Sequence, residues 1–535
     1  VQRVETDILV VGGGSAGMCA ALAARAAGLR VALAYKTGGN CTSVAAGAFA
    51  AVMPGVEDDT PRRHGENTLQ SSGGLADVRL VEVLVERAAA ALQNLMSWGV
   101  EFSILEDGSL RRFRSGGHDR ARTYRCRGGN LAQFFRTLSR RVRDSGVELL
   151  KDCMVVGLLR HGARVCGAWG MDREGRPLKI AAKAVVLATG GFPGIYQHRT
   201  APAGLTGEGQ VMAYEAGGRL IDLEFVQFMP TTIAFPPEFH GRVVNDTLRG
   251  EGAVLRNSQN ERFMARYDPA YGDLAGRDIL AISIATEVAQ GRGTPHGGVY
   301  LDATVLDERT IIESFGGARQ LASHGIDLRR TYIEVTPAAH FTCGGIHINE
   351  HCATGVEGLF AAGECAGGIH GANRLGANAL TATLVFGDIA GRSAARFAAG
   401  VAGPEEVADP VQTRMAEESL PPVPRKNGAL DAFEGEIRKV FWERMGVVRS
   451  RDGLAEAISR LRDLEASLAA ERPGGYTYAE NMRRLRVRKM ALLGRMVAQA
   501  AEERRESRGN HYRLDFPERD ASFERHQVFA GSGRP

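Results

Sequence analysis

The stretch Asp7-Ile-Leu-Val-Val-Gly-Gly-Gly-Ser-Ala-Gly17 decides the fold. An apolar strand runs into a glycine turn, and the turn opens an alanine-rich helix that carries to Gly28. Gly12 permits the tight turn, Gly14 lets backbone approach a pyrophosphate, and Gly17 lets helix and strand pack closely, while the helix N-terminus attracts the anion. A second apolar strand, Leu29 to Tyr35, completes a βαβ unit. It ends at Lys36, where dinucleotide folds often carry an acid for the ribose hydroxyls. Two later runs repeat the pattern of a buried strand followed by a small-residue turn: Ala184-Val-Val-Leu-Ala-Thr-Gly-Gly191 and Gly358-Leu-Phe-Ala-Ala-Gly-Glu364. All three strands are expected in one sheet, and three matches in order restrict the reading far more than the glycine loop alone.

The remaining composition narrows the class by exclusion. A chain of 535 residues is long enough for three or four folded units at about 100–200 residues each. Its 44% hydrophobic and 24% charged content is that of a globular protein, and a balance of only +4 gives no electrostatic footprint for nucleic acid. The basic run Met482-Arg-Arg-Leu-Arg-Val-Arg488 alternates arginine with apolar residues, which reads as a solvated helix face. Eight scattered cysteines contain no C-x-x-C pair, so reduced core thiols are expected and no metal site. No stretch reaches the roughly 18 apolar residues of a membrane span, so direct membrane insertion is not expected. The expected location is cytoplasmic, with any membrane association made through a partner.

Beyond the nucleotide strands, five motifs stand out: Leu248-Arg-Gly-Glu-Gly252, Gly276-Arg-Asp278, Pro337-Ala-Ala-His-Phe-Thr-Cys-Gly-Gly345, His370-Gly-Ala-Asn-Arg-Leu-Gly-Ala-Asn-Ala-Leu380 and Glu506-Ser-Arg-Gly-Asn-His511. In order and spacing they resemble the flavoprotein subunits of succinate dehydrogenase and fumarate reductase, with L-aspartate oxidase as a close relative. The resemblance covers nearly the whole chain. It implies an α/β fold: a Rossmann-like FAD-binding domain at 1–224 and 346–405, an inserted α+β capping domain at 225–345, and a helical C-terminal domain at 425–535. A linker at 406–424 contains Leu420-Pro-Pro-Val-Pro424, and the apolar spacing of Leu454, Ile458, Leu461 and Leu464 after it is helical. No internal repeat is visible.

Exchanging a hydride with a carbon–carbon bond beside a carboxylate needs a hydride site, a proton site and an anion clamp. Flavin N5 is the hydride site, so the protein must position substrate and tune charge. By resemblance, Arg277 transfers the proton, His340 and Arg374 clamp a carboxylate, and Asp246 with Arg249 relay protons from solvent. A guanidinium is charged under ordinary conditions, so it serves as an acid only when a relay restores its proton at once. The resemblance further implies FAD contacts at Gly12, Gly14, Ser15, Ala16 and Gly17 for the pyrophosphate and at Lys36 and Val155 for the adenosine side. Ser43, Ala45, Ala46 and Gly47 would lie at the isoalloxazine edge, Asp222 and Glu364 at ribityl or ribose hydroxyls, Thr189 and Gly190 at the second nucleotide turn, and Ala379 and Leu380 at the ring. Glu208 is left between a turn residue and an FAD neighbour.

Three departures from the family pattern bear on function. Members that join respiratory complexes usually carry a histidine bonded to the flavin shortly after the second strand, but Thr37-Gly-Gly-Asn-Cys-Thr-Ser-Val-Ala-Ala-Gly47 contains none. Non-covalent FAD of lower potential is therefore expected. The family's His-Pro-Thr triplet stands here as Met229-Pro230-Thr231, and a thioether neither donates a hydrogen bond nor carries charge. Asn245-Asp246 replaces a Thr-Glu pair. The leading expectation is thus a fumarate reductase-type enzyme acting on a small carboxylate, and a compatible partner is an iron–sulfur or other electron-transfer protein. Two alternatives stay open: an amino-acid oxidase like L-aspartate oxidase, and a non-catalytic FAD-binding electron-transfer subunit.

Overall fold

The computed structural model describes residues 1–36, 39–44, 47–128, 131–403, 429–470 and 477–531. The expected linker at 406–424, with its Pro-rich run, lies outside these residues, as do Ala45 and Ala46. At the centre is a five-stranded parallel sheet in the order Leu359–Ala361, Ala184–Leu187, Ile8–Val11, Val31–Tyr35, Glu148–Lys151. The three strands read from the sequence are adjacent in it. Their side chains are buried on both faces, as parallel strands between helices must be. The second strand begins at Val31 rather than Leu29, because the amide of Arg30 is taken by the Asp7 carboxylate at 2.9 Å.

The helix Ser15–Ala26 packs on one side of this sheet against the helix Asn378–Ala399. Glycine makes that contact possible: a Cβ at Gly387 or Gly391 would lie 2.6 or 2.2 Å from the carbonyl oxygens of Ala16 and Ala20. The sheet's dinucleotide half is thereby clamped by a helix from far along the chain, which carries Ala379 and Leu380.

An antiparallel sheet, in the order Val226–Phe235, Ile333–Thr342, Val299–Asp302, Val254–Arg256, forms the inserted α+β unit. It has its own core, in which Phe263, Leu280, Ile284, Leu301 and Val335 are fully or almost fully buried. Three long helices, Ala429–Arg444, Arg451–Ala470 and Tyr478–Glu503, make up the C-terminal part, and their apolar faces join the main core through Ile437, Leu461 and Leu493. The last strand, Val528–Ala530, returns to pair antiparallel with Arg219–Ile221.

The fold is therefore the expected one, a Rossmann-like dinucleotide-binding architecture with an inserted α+β cap and a helical C-terminal domain. The basic run in Tyr478–Glu503 is helical as expected, but its face is not solvated. Arg484 is buried and donates to the carbonyl of Leu468 at 3.2 Å, while Arg483 and Arg486 both pair with Glu434. The arginines hold the three C-terminal helices together, so their charge is spent inside the molecule. All eight cysteines are free thiols, seven of them buried. No described helix is long and apolar enough to cross a membrane.

Candidate active site

The glycine loop is shaped by contacts that tolerate no side chain. Gly12 sits at φ +120°, where a Cβ would lie 2.1 Å from the carbonyl oxygen of Ala188, and a Cβ at Gly17 would lie 1.9 Å from that of Gly12. Gly14 differs: a Cβ there would meet only Thr42 Oγ1, at 3.5 Å, so its bareness serves an open space. That space is a cavity of about 1520 Å³ running from the loop to the inserted sheet. Pockets for one small ligand hold about 300–1,000 Å³, so this volume suits a dinucleotide together with a substrate.

Along the nucleotide part, Ser15 at the helix N-terminus bonds Thr383 Oγ1 at 2.7 Å, and its amide donates to Thr42 Oγ1 at 3.1 Å. Lys36 donates to Glu208 Oε1 at 2.6 Å. Glu208 opens the helix Glu208–Glu215 and lines the cavity, so its position is that of a neighbour to the cofactor space held by an ion pair. Gly47 abuts Leu380, with 2.9 Å between a Cβ there and Leu380 Cδ1. Glu364 accepts from the amide of Thr342 at 3.0 Å, and burial pushes its pKa up to about 7.

At the far end, cationic groups converge. Asp246 opens the helix Asp246–Gly250 and Arg277 opens Arg277–Glu287. Arg277 Nε and Nη2 donate to Asp246 Oδ2 at 3.0 and 2.8 Å, and Arg249 Nη2 donates to Asp246 Oδ1 at 2.9 Å. Burial alone would raise the Asp246 pKa, but the two guanidiniums outweigh it and hold the carboxylate far below its usual range. Arg249 is tied further to Thr231 Oγ1 at 2.8 Å and to the carbonyl of Asp273 at 3.0 Å.

His340 owes its aim to a β-bulge. Gln227 pairs with Phe341 and Phe228 with Ala339, which leaves His340 as the extra residue on its strand. Bulges re-aim side chains in this way near active sites. Its Nδ1 lies 2.7 Å from Thr200 Oγ1, and burial, with Arg277 and Arg374 nearby, keeps the ring neutral. Arg374 is buried over the face of Phe341, 4.6 Å from the ring centroid, with Nη2 on Gln227 Oε1 at 2.7 Å. Burial and then Arg277 bring its pKa down to about 10. Arg249 and Arg277 thus share the Asp246 carboxylate while Arg374 forms no ion pair among the described residues, and the excess charge suits an anion.

Several buried polar atoms of the cavity have no partner among the described residues: Arg374 Nε, Asn245 Oδ1 and His370 Nδ1. Unpaired buried groups are rare in native structures and call for a ligand or water. Met229 also lines this end and is 1% exposed.

All five expected catalytic residues, Asp246, Arg249, Arg277, His340 and Arg374, line the cavity. So do Gly12, Gly14, Ser15, Ala16, Lys36, Gly47, Val155, Thr189, Gly190, Glu364, Ala379 and Leu380. Three others do not. Gly17 packs helix on strand, and the Ser43 hydroxyl turns back to the carbonyl of Asn40 at 2.9 Å. Asp222 adopts a left-handed backbone, and its carboxylate receives His526 Nδ1 at 2.6 Å and the amide of Gln527 at 3.2 Å. The returning tail thus holds its carboxylate. The sequence reading missed Thr200 and Gln227, which orient His340 and Arg374, and also missed Arg125, whose Nη2 donates to Thr247 Oγ1 at 2.7 Å.

A Rossmann-type loop joined through one cavity to a cationic pocket is the plan of a dinucleotide-dependent oxidoreductase. Comparison with known proteins makes the dinucleotide FAD: residues 7–380 match the model of an FAD binding domain, and 434–534 match the fumarate reductase flavoprotein C-terminal model. The chain belongs to the succinate dehydrogenase and fumarate reductase flavoprotein family, with L-aspartate oxidase among its relatives, and is an FAD-dependent oxidoreductase. It is 36% identical to one subunit of the CoM/CoB fumarate reductase of Methanothermobacter marburgensis, over 97% of this chain and 95% of that one. It is 33% identical to L-aspartate oxidase of Pseudomonas aeruginosa, over 97% and 96%. The flavoprotein of E. coli quinol fumarate reductase superposes with a TM-score of 0.90 at 29% identity, over 99% of this chain and 94% of that one.

Proposed function

We propose that this enzyme exchanges a hydride with a small carboxylate at a carbon–carbon double bond, in the manner of fumarate reductase. The observation that carries the reading is the chain Arg249–Asp246–Arg277, joined by hydrogen bonds of 2.8–3.0 Å in the cavity that also holds His340 and Arg374. Bound FAD supplies the hydride exchange at its N5. Arg374 and the neutral His340 hold a substrate carboxylate by charge-assisted hydrogen bonds and draw charge into it as the double bond polarises. Arg277 delivers the proton to the neighbouring carbon, and Asp246 with Arg249 restores it. A carboxylate locked between two guanidiniums stays ionised, which holds Arg249 and Arg277 in one hydrogen-bonded chain and favours the return of the proton to Arg277.

The cofactor-facing side rests on Gly12, Gly14, Ser15 and Ala16 at the pyrophosphate, with Lys36 and Val155 towards the adenosine and Thr189, Gly190 and Glu364 along the chain between. Gly47, Ala379 and Leu380 flank the ring. With no histidine between Thr37 and Gly47 the cofactor is held non-covalently, so acid precipitation should leave all the flavin in the supernatant. An electron-transfer partner with iron–sulfur centres fits the family, and association with a membrane would run through it.

The 33% identity to an L-aspartate oxidase favours a second reading, in which a C–N bond is oxidised. Anaerobic spectroscopy separates the two. Reduced protein should be reoxidised by fumarate, and oxidised protein should not be bleached by L-aspartate; bleaching by L-aspartate would establish the oxidase. Arg277→Leu should lower turnover at least a hundredfold, within the range for loss of a general acid. Unchanged turnover would remove Arg277 from its role.

A further inference from the structure

Two arginines at the outer side of the cavity, Arg111 and Arg125, form no ion pair among the described residues, and Asp246 and Glu251 act on Arg125 only at longer range. Their neighbours are paired: Arg112 with Asp58 at 2.7 Å and Arg122 with Asp59 at 2.6 Å. The nearby Asp246 is not available, because both of its oxygens are taken by Arg249 and Arg277.

Arg125 is nonetheless fixed, and the exposed Arg111 rests on the same ring. Each stacks on the ring of Phe113, Arg125 at 4.6 Å and Arg111 at 5.0 Å from its centroid. Their backbones are tied through one residue, since Arg111 N donates to Ser103 O at 2.8 Å and Ser103 N to Arg125 O at 2.9 Å. Arg125 is also anchored to Thr247, the residue after Asp246, at 2.7 Å. Two like charges held on one ring repel, and burial and Arg111 together lower the Arg125 pKa. An anion bound to them would relieve both costs.

Across the cavity the opposite condition holds. Met229 presents an apolar side chain, and Thr231 is engaged, donating to the carbonyl of Val244 and accepting from Arg249. The strand bearing Met229 therefore offers no cation to a second acid group.

We propose that Arg125, assisted by Arg111, forms a second anion subsite that receives the distal carboxylate of a dicarboxylate substrate, while Arg374 and His340 hold the proximal one. This rests on the carboxylate-reducing reading above. It places the distal clamp on the 111–125 loop rather than on the Met229 strand.

The test uses the FAD-loaded enzyme and two pairs of probes matched in carbon number. Calorimetric titration with succinate and butyrate reads binding to the oxidised enzyme, and fumarate and crotonate read turnover. Wild type should bind succinate at least tenfold more tightly than butyrate. Arg125→Gln should weaken succinate about 10- to 100-fold, as loss of a charge-assisted hydrogen bond does, and leave butyrate within twofold. Arg125→Lys should restore most of the loss, and Arg111→Gln should show a smaller one. With fumarate the Arg125→Gln effect should fall on KM far more than on kcat. Butyrate binding and the flavin spectrum report that the variant is folded. Equal weakening of succinate and butyrate, no weakening of succinate, or no preference for succinate in wild type would each overturn the subsite. Arg125-dependent succinate binding without reoxidation of reduced enzyme by fumarate would uphold the subsite and remove the reaction reading instead.

Discussion

At the scale of single residues, charge states are set by who shares the burial. Asp246 and Glu364 are both carboxyls in the same cavity, yet they shift in opposite directions, because Asp246 has two guanidiniums bonded to it while Glu364 is bonded by neutral groups, the hydroxyl and amide of Thr342 and the amide of Gly191. Glu364 is raised from 4.5 to about 7. Between those values the folded chain holds a proton that the unfolded chain has released, so stability falls as pH rises through the window. Below about 4.5 both states are protonated, and above about 7 the full cost of ionisation is present. Glu364→Gln removes the ionisable group. Measured without flavin, the variant should gain on the parent as pH rises from 5 to 8, and at pH 8 it should melt higher by roughly 2 °C or more. A gap that is the same at both pH values, or a variant that melts lower at pH 8, would sink the assignment.

At the scale of elements, local constraint and distant contact part company. The glycine loop and its strands were legible because each depends on neighbours a few positions away: a turn at φ +120° for Gly12 and a carbonyl 1.9 Å from any Cβ at Gly17. The cavity residues were legible only through family motifs. Thr200 and Gln227 carry no motif and reach partners 140 and 147 positions away, so nothing in the sequence announced them. The partners of Asp222 were hidden for the same reason, since they lie more than 300 positions on, in the returning tail. Thr200 matters because a neutral imidazole presents one N–H. When the Thr200 hydroxyl donates to Nδ1, the proton lies on Nε2, where it can meet a carboxylate. Thr200→Val should therefore raise KM for the carboxylate substrate about tenfold with a smaller change in kcat, and Thr200→Ser should restore it. A kcat loss without a KM change would mean that Thr200 does not act through carboxylate binding.

At the scale of the whole molecule, the flavin domain and the C-terminal part are joined by buried charge as well as by apolar packing. Arg504 is fully buried, with Nε on Glu224 Oε1 at 2.5 Å, Nη1 on Glu506 Oε1 at 3.1 Å and on the carbonyl of Phe523 at 2.7 Å, and Nη2 on the carbonyl of Arg525 at 3.0 Å. Glu224 lies 280 positions from Arg504, so this junction was invisible in the sequence even though Glu506 belongs to a recognised motif. Glu506 keeps Arg508 as a second partner at 2.7 Å, but the Glu224 carboxylate has no other ion-pair partner among the described residues. Removing Arg504 would strand it. Arg504→Met should cost about 3–5 kcal/mol, the usual cost of breaking a buried pair from one side. Burial already pushes the Glu224 pKa up against the pull of Arg504, so without that pull the carboxyl will stay protonated to higher pH. Protonation relieves the stranded charge, and the deficit of Arg504→Met should accordingly be smaller at pH 5 than at pH 8. Adding Glu224→Gln should recover part of the loss at pH 8 and much less at pH 5. Chemical denaturation of the four proteins at both pH values measures this directly. A deficit independent of pH, with no recovery in the double variant, would show that Arg504 acts through its carbonyl contacts and its packing on Phe225, whose ring centroid is 4.9 Å away, rather than through Glu224.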